Sequence, residues 1–244
     1  MRYRKLGASE IQVSAVALGT WSVGGGPWWG KTDDNESVRA IQAAVDAGVT
    51  LIDTAPAYGF GRSEEVVGRA IRGRRDQVVV ATKCGLWWGD VTGAFHFEQD
   101  GHTVRRCLEP RTIRIEVEQS LRRLGVDHID LMQTHAQAAE PFKTPIAETM
   151  ACLMALRREG KIREIGVSNC TPEQMGEYLA AGIIVSNQPR YSMLDRAIER
   201  ALLPYCRARD LAVLVYSPLE QGLLTGKIGM DTLFDPEAFR NRLP

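Results

Sequence analysis

LIDTAPAYG at residues 51–59, VVVATK at 78–83 and IDLMQTH at 129–135 follow one plan: a short apolar run, then a side chain able to do chemistry. Such runs alternate along this chain with helical patterns, the signature of a parallel sheet with crossover helices. In a parallel sheet the C-terminal ends of all strands lie on one side. If the sheet closes into an α/β barrel, Asp53, Tyr58, Lys83 and His135 converge on its mouth. A tyrosine set among a cation, a carboxylate and an imidazole is equipped to hand over a proton.

Working outward, YRKLG (3–7) and IQVSA (11–15) read as an opening hairpin and AVALGT (15–20) as the first strand of the main sheet. Helix one is expected from about Asp33, capped by that aspartate with Glu36 reaching back, to Gly48. TLIDT is strand two. Ser63, Glu64 and Glu65 open helix two, which runs to Ile71, with acids at the positive end of the helix dipole. VVVAT is strand three. The stretch from Cys84 to Pro110 has no clear period and reads as a long functional loop. Ile113, Val117, Leu121 and Leu124 mark helix three, stopped by Gly125, and HIDLMQT is strand four. Helix four starts at Thr144–Pro145, IREIGVS is strand five, and TPEQ at 171–174 is a capping box. IIVSNQ is strand six, a helix runs to about Arg209, and LAVLVYS is strand seven. From Gly222 to Pro244 no apolar run could supply an eighth strand. Doubly wound sheets and barrels both fit this alternation.

Bulk properties exclude several classes. Thirty basic and thirty acidic residues among 244 leave no net charge, so nothing points to nucleic acid or an anionic membrane. No run approaches the ~20 apolar residues of a membrane helix, and MRYRKLG is not a secretory leader. Five cysteines without CxxC spacing read as reduced cytoplasmic thiols. The four histidines lack metal-ligand spacing, so no metal is expected. GLLTGK (222–227) and GFGRSE (59–64) each miss a residue of the nucleotide-loop patterns they approach. One domain over residues 1–244 is the expectation.

A free tyrosine is a weak acid at neutral pH, and a nearby ammonium favours its phenolate. Lys83 can supply that charge, and Asp53 is its natural partner. His135 can orient a carbonyl oxygen. The tryptophan pairs 28–29 and 87–88 sit in loops at the expected mouth; Trp28 and Trp88 are candidates for the flat face of a sugar or small carbonyl.

LGTW (18–21), LIDTAPAYGFGRSEEVVGRAI (51–71), VVVATKCG (78–85), LRRLGVDHIDLMQTH (121–135), GKIREIGVSN (160–169) and VYSPLEQGLLTGK (215–227) together resemble the aldo-keto reductase superfamily. They are most similar to its bacterial members acting on sugars, polyols and small carbonyls, and the resemblance spans essentially the whole chain. It implies an α/β fold of (β/α)8 TIM-barrel type that binds NADP(H), or alternatively NAD(H), and interconverts a carbonyl and an alcohol. Asp53, Tyr58, Lys83 and His135 match the family's catalytic tetrad, with Tyr58 as general acid and base. Ser168 and Asn169 match its carboxamide contacts, Gln188 the residue beside the nicotinamide, and Tyr216 the stacked ring. Ser217, Leu219, Gly222 and Lys227 match the pyrophosphate loop, and Gly19, Thr20 and Trp21 the first-strand contacts. Two departures stand out: Ala136 where relatives carry a bulky residue, and an eighth βα unit that is missing from this chain. A barrel normally closed by residues beyond Pro244 is therefore expected, with weak cofactor binding and self-association of the chain as given; a homo-oligomer is left open. The rival expectation is a catalytically impaired, regulatory chain of the same fold.

Overall fold

A computed structural model describes residues 1–229 and 231–233. Strands β1 (Tyr3–Lys5) and β2 (Gln12–Ser14) form an antiparallel hairpin. The main sheet follows: β3 (Leu18–Gly19), β4 (Leu51–Asp53), β5 (Val79–Cys84), and later β9 (Ile129–Thr134), β10 (Ile162–Ser168), β11 (Ser186–Gln188) and β12 (Ala212–Val213). The strands between belong to an excursion after β5: β6 (Leu86–Trp87), β7 (Ala94–Gln99) and β8 (His102–Arg106). All neighbours in the main sheet are parallel, in the order β12-β11-β10-β9-β5-β4-β3. Helices α1 (Asp34–Asp46), α2 (Arg62–Ile71), α3 (Pro110–Leu124), α4 (Ile146–Arg158), α5 (Pro172–Ala181) and α6 (Leu202–Arg207) make the crossovers. This is the alternating, parallel α/β arrangement the sequence predicts. No helix among the described residues is long and apolar enough to cross a membrane.

The sheet curls, because side chains from strands far apart in its order meet. Leu51 on β4 packs in one cluster with Leu131, Val185 and Ala212, and Leu6, Ile11 and Val13 of the β1–β2 hairpin fill the space between them. The hairpin thus plugs the N-terminal end of the strands and leaves chemistry to the other end. A second, larger core lies between the outer face of the sheet and the helices, where Val67, Ile113, Leu153 and Tyr178 are fully buried. Burial of this kind contributes about 1.5–3 kcal/mol for each large apolar side chain.

Local signals explain several helix ends. Asp33 accepts from the Glu36 backbone N–H at 2.9 Å, Thr171 and Gln174 close a reciprocal capping box, and Gly125 ends α3 at φ 65°. Ser63 does not cap α2. That helix starts one residue earlier, after Gly61 at φ 101°, and the Ser63 hydroxyl turns inward to Thr20 and Thr54 at 2.8 and 2.9 Å.

Two segments differ from expectation. Residues 84–110 are not a loop but carry a three-stranded antiparallel sheet, order β6-β8-β7. Asp100 and Gly101, both at positive φ (50° and 78°), form its two-residue turn between the paired Gln99 and His102. Asp-Gly is a strong hairpin signal. The helix expected up to Arg209 is reduced to α6 and a single 3-10 turn at Ala197–Glu199. Ahead of both pieces the Ser192 hydroxyl accepts the Leu194 and Asp195 backbone N–H groups at 3.0 and 2.9 Å and offers the chain a turn instead of helix. In the tail, residues 222–229 and 231–233 form no strand; the remainder of the expectation for an eighth unit lies outside the described residues.

Gly7 makes the hairpin plug possible. It sits at φ +56°, and a Cβ there would lie 2.2 Å from the Val185 carbonyl oxygen and 2.8 Å from that of Asp210. Gly7→Ala is expected to lower stability by about 2–4 kcal/mol through strain and overpacking. Urea unfolding followed by tryptophan fluorescence reads it; a loss under about 0.5 kcal/mol would mean that the hairpin can shift without cost.

Candidate active site

The register of the sheet brings the site together. Gly19 pairs with Asp53, Asp53 with Ala81, Lys83 with Gln133, and Gln133 with Gly166, so the C-terminal ends of β4, β5 and β9 reach a common level. Lys83 is only 1% exposed, and burying an ammonium is costly unless every proton on it is taken. Each is. Its Nζ donates to Asp53 Oδ2 at 2.6 Å, to the Thr54 carbonyl at 2.9 Å and to the Tyr58 hydroxyl oxygen at 3.2 Å. Burial works against the charge, but Asp53 and Tyr58 outweigh it and hold the ammonium above lysine's ordinary range.

Asp53 is equally engaged. Its Oδ1 accepts from Gln133 Nε2 at 2.9 Å and from Gln188 Nε2 at 3.0 Å. The carboxylate is thereby oriented by an ammonium on one oxygen and two amides on the other. Gln133, fully buried, was not singled out by the sequence, although its place two residues before His135 on a strand pointed it to the same interior face. Gln188 spends its amide on Asp53.

Tyr58 follows β4 in a turn, its ring perpendicular to the His135 imidazole at 5.8 Å and tilted against Trp21 at 6.3 Å. Burial lifts the phenol above tyrosine's ordinary value, and Lys83 pulls it back only in part. This corrects the expectation of a lowered phenol. Burial, then the charge of Lys83 and then His96, push the His135 imidazole well below its usual range. At neutral pH the site therefore presents a protonated phenol beside a neutral imidazole.

Buried acids on the outer face hold β5. Glu64 of α2 accepts from Thr82 Oγ1 at 2.6 Å and from Arg123 Nε of α3 at 2.7 Å. Glu116 of α3 accepts from the Gly85 backbone N–H at 3.0 Å. Lys83 lies between those two anchors. Burial raises the Glu116 carboxyl well above the usual range, opposed by the Gly85 N–H and reinforced by Glu64.

The remaining sequence candidates form an arc over β10, β11 and β12. Ser168 donates to the Gln188 carbonyl at 2.8 Å, and Asn169, at φ 56°, donates to the His135 carbonyl at 3.2 Å and accepts from the Tyr216 hydroxyl at 3.0 Å. Tyr216 is 37% exposed. The turn after it runs at positive φ through Ser217, Glu220, Gln221 and Gly222, and Leu219 and Lys227 are exposed beside it. An amide and hydroxyl pair, an exposed flat ring and an unwound turn fit a nicotinamide dinucleotide. Thr20 is fully buried, and its hydroxyl donates to the Asp53 carbonyl at 3.0 Å. Gly19 is exposed at the end of β3. Trp21, Trp28 and Trp29 pack together, with Trp21 at 6.0 Å from Trp28 and 5.2 Å from Trp29, while Trp88 meets Phe60 edge-on at 5.2 Å.

The profile described as "Aldo/keto reductase family" matches residues 15–242. The NADH-specific methylglyoxal reductase of Escherichia coli is 48% identical over 233 residues, covering 95% of this chain and 71% of the relative. A glycerol dehydrogenase from Gluconobacter oxydans superposes with a TM-score of 0.86 at 43% identity, covering 99% of this chain and 71% of that one. An aldo/keto reductase from Klebsiella pneumoniae in complex with NADP and acetate matches at a TM-score of 0.73 and 34% identity, over 89% of this chain and 69% of that one. The curled parallel sheet is thus of the TIM-like type.

Lys83→Met removes the cation and leaves Asp53 with two amides only. The expected loss is about 3 kcal/mol, the low end for breaking a buried pair, because those amides remain. Adding Asp53→Asn should recover at least about 1 kcal/mol of it. Urea midpoints of the four proteins decide this; strictly additive losses would show that the two residues are not coupled.

Proposed function

The chain belongs to the aldo/keto reductase family, and on that premise we propose that it interconverts a small aldehyde or ketone and its alcohol, with Tyr58 as the general acid and base. Residues 1–244 are read as one catalytic domain, and five buried free thiols suit a reducing cytoplasm. A nicotinamide cofactor, NADP(H) or NAD(H), supplies hydride when bound. The E. coli relative is named for NADH and the Klebsiella structure holds NADP, so both stay within the proposal.

The contact between Lys83 and Tyr58 carries the proposal. The phenol oxygen accepts from Lys83 Nζ at 3.2 Å, so its own hydrogen is left to point away from the ammonium, where a carbonyl oxygen would lie. As that proton leaves, negative charge grows on an oxygen already facing a buried cation, and the hydrogen bond that Lys83 Nζ donates to it strengthens. The neutral His135 imidazole can donate to the same carbonyl oxygen without competing for the proton. Ser168, Asn169 and Tyr216 would hold the nicotinamide, Ser217, Leu219, Gly222 and Lys227 the pyrophosphate, with Gly19 and Trp21 alongside. Trp28 and Trp88 would border the substrate.

Tyr58→Phe is expected to lower carbonyl reduction by ~10²–10⁴ while leaving NADPH binding nearly unchanged. In the unaltered protein, kcat/KM for reduction should stay flat between about pH 7 and pH 9, because the phenol titrates above its ordinary value and the imidazole below its own. Loss of NADPH fluorescence quenching together with activity would make Tyr58 structural, and a bell centred near neutrality would place another group in the acid's role.

A further inference from the structure

The turn after Tyr216 follows a course that side chains resist. Ser217, Glu220 and Gln221 sit in the left-handed region at φ 53°, 46° and 49°, with Gly222 at 103°. Residues with a Cβ keep such angles only where their surroundings impose them. The restraint here is Glu220, whose side chain is 7% exposed although Leu219 and Leu223 beside it stand half in solvent. Its Oε2 accepts from Arg190 Nη2 and its Oε1 from the Ser192 hydroxyl. Both donors lie in the segment after β11, and that segment also fixes Tyr216: Arg190 bridges to it in parallel, and the Tyr216 N–H donates to the Pro189 carbonyl at 3.1 Å. Ser192 is itself set by the Leu194 and Asp195 N–H groups, and Asp195 Oδ2 lies 3.6 Å from Arg190 Nε. One carboxylate thus ties the turn to the backbone that carries the exposed ring. Ser192 first and then Arg190 hold the Glu220 carboxyl below the usual carboxylate range, so it is charged at neutral pH.

We propose that Glu220 is a positioning residue for the dinucleotide: its buried carboxylate, held by Ser192 and neutralised by Arg190, sets residues 217–222 in the left-handed course that receives the pyrophosphate. This rests on the cofactor reading of the turn given above. Two effects combine. A turn held in its binding shape before the ligand arrives spares the cost of ordering it on binding. An acid beside an anion site is tolerable only while a cation cancels it, and the Arg190 guanidinium does so from the side of β11. Arg190 therefore serves the site twice, as the tether of the turn and as the shield of its one buried carboxylate.

The test removes the tether without changing net charge. Arg190→Met combined with Glu220→Gln should weaken NADPH binding, read by the cofactor's fluorescence, at least about ten-fold; NADH takes its place if only NADH binds. Arg190→Met alone should weaken it further, because the bare carboxylate then faces the anion. Amide hydrogen exchange of residues 217–226 in the cofactor-free double variant should quicken while β9 and β10 keep their protection. In turnover, KM for the cofactor should rise more than KM for the carbonyl substrate. Equal binding constants overturn the proposal, and so does weakened binding with unchanged exchange in the turn, which would leave the pair a charge effect only. If the double variant does not fold, Arg190→Lys, which keeps the charge and loses the fork, is read by the same two measurements, with binding at least about three-fold weaker expected. An unaltered protein that binds neither cofactor overturns the cofactor reading and this inference together; unaltered binding with unaffected variants overturns this inference alone.

Discussion

A buried ammonium tolerates no idle proton, and Lys83 sets the terms for everything around it. Three acceptors converge on its Nζ, and each belongs to a segment the fold must deliver: Asp53 at the end of β4, the Thr54 carbonyl after it, and Tyr58 in the following turn. Because Asp53 must stay charged to serve this cation, it is itself held by Gln133 and Gln188, which commits β9 and β11 to the same point. Five of the seven main strands thus take part, counting β3, whose Thr20 hydroxyl bonds the Asp53 carbonyl. The consequence for chemistry is directional. A phenol that accepts from the ammonium has its hydrogen free for the mouth.

The scaffold outside the sheet defends that geometry. Glu64 and Glu116 fasten β5 on either side of Lys83 through Thr82 and Gly85, and Arg123 ties Glu64 to α3. Arg123 also lies against Gly61, where a Cβ would meet its Cδ at 2.6 Å, so the helix that steadies the lysine strand also presses on the turn that carries Tyr58. Ser63 joins this arrangement from within, bridging Thr20 and Thr54. Removing the Glu64 carboxylate would leave the buried Thr82 hydroxyl without its partner, which costs more than the bond itself was worth.

Much of this was legible in the sequence, for physical reasons. Short β-branched runs such as VVVAT and IREIGVS have few alternatives to a buried parallel strand, and a reactive residue just after each run reports which side of the sheet is used. The capping signals at Asp33 and Thr171 are local and survive into the fold. What was not legible depends on distant partners. Ser63 looked like a helix cap because nothing nearby announces Thr20, 43 residues away. Gln133 passed as one more strand residue because its partner Asp53 is 80 residues off. Ahead of the shortened helix that ends near Arg209, the chain turns at Ser192, whose hydroxyl is drawn to Glu220 as well as to local N–H groups. The hairpin after β5 was within reach, since Asp100–Gly101 is a turn signal, but its strands lack a clean alternation: a bulge interrupts it at His96.

The central claim is that Tyr58 remains a neutral phenol that receives the Lys83 proton contact rather than a phenolate generated by it. Phenolate absorbance near the tyrosinate band, taken as the difference between the unaltered protein and Tyr58→Phe across a pH titration, measures this one group. The account predicts that the difference signal stays absent through neutrality and appears only above pH 10, since burial outweighs the ammonium's pull. A difference signal with its midpoint near neutral pH would contradict it, for the site would then hold a base where it is required to hold an acid.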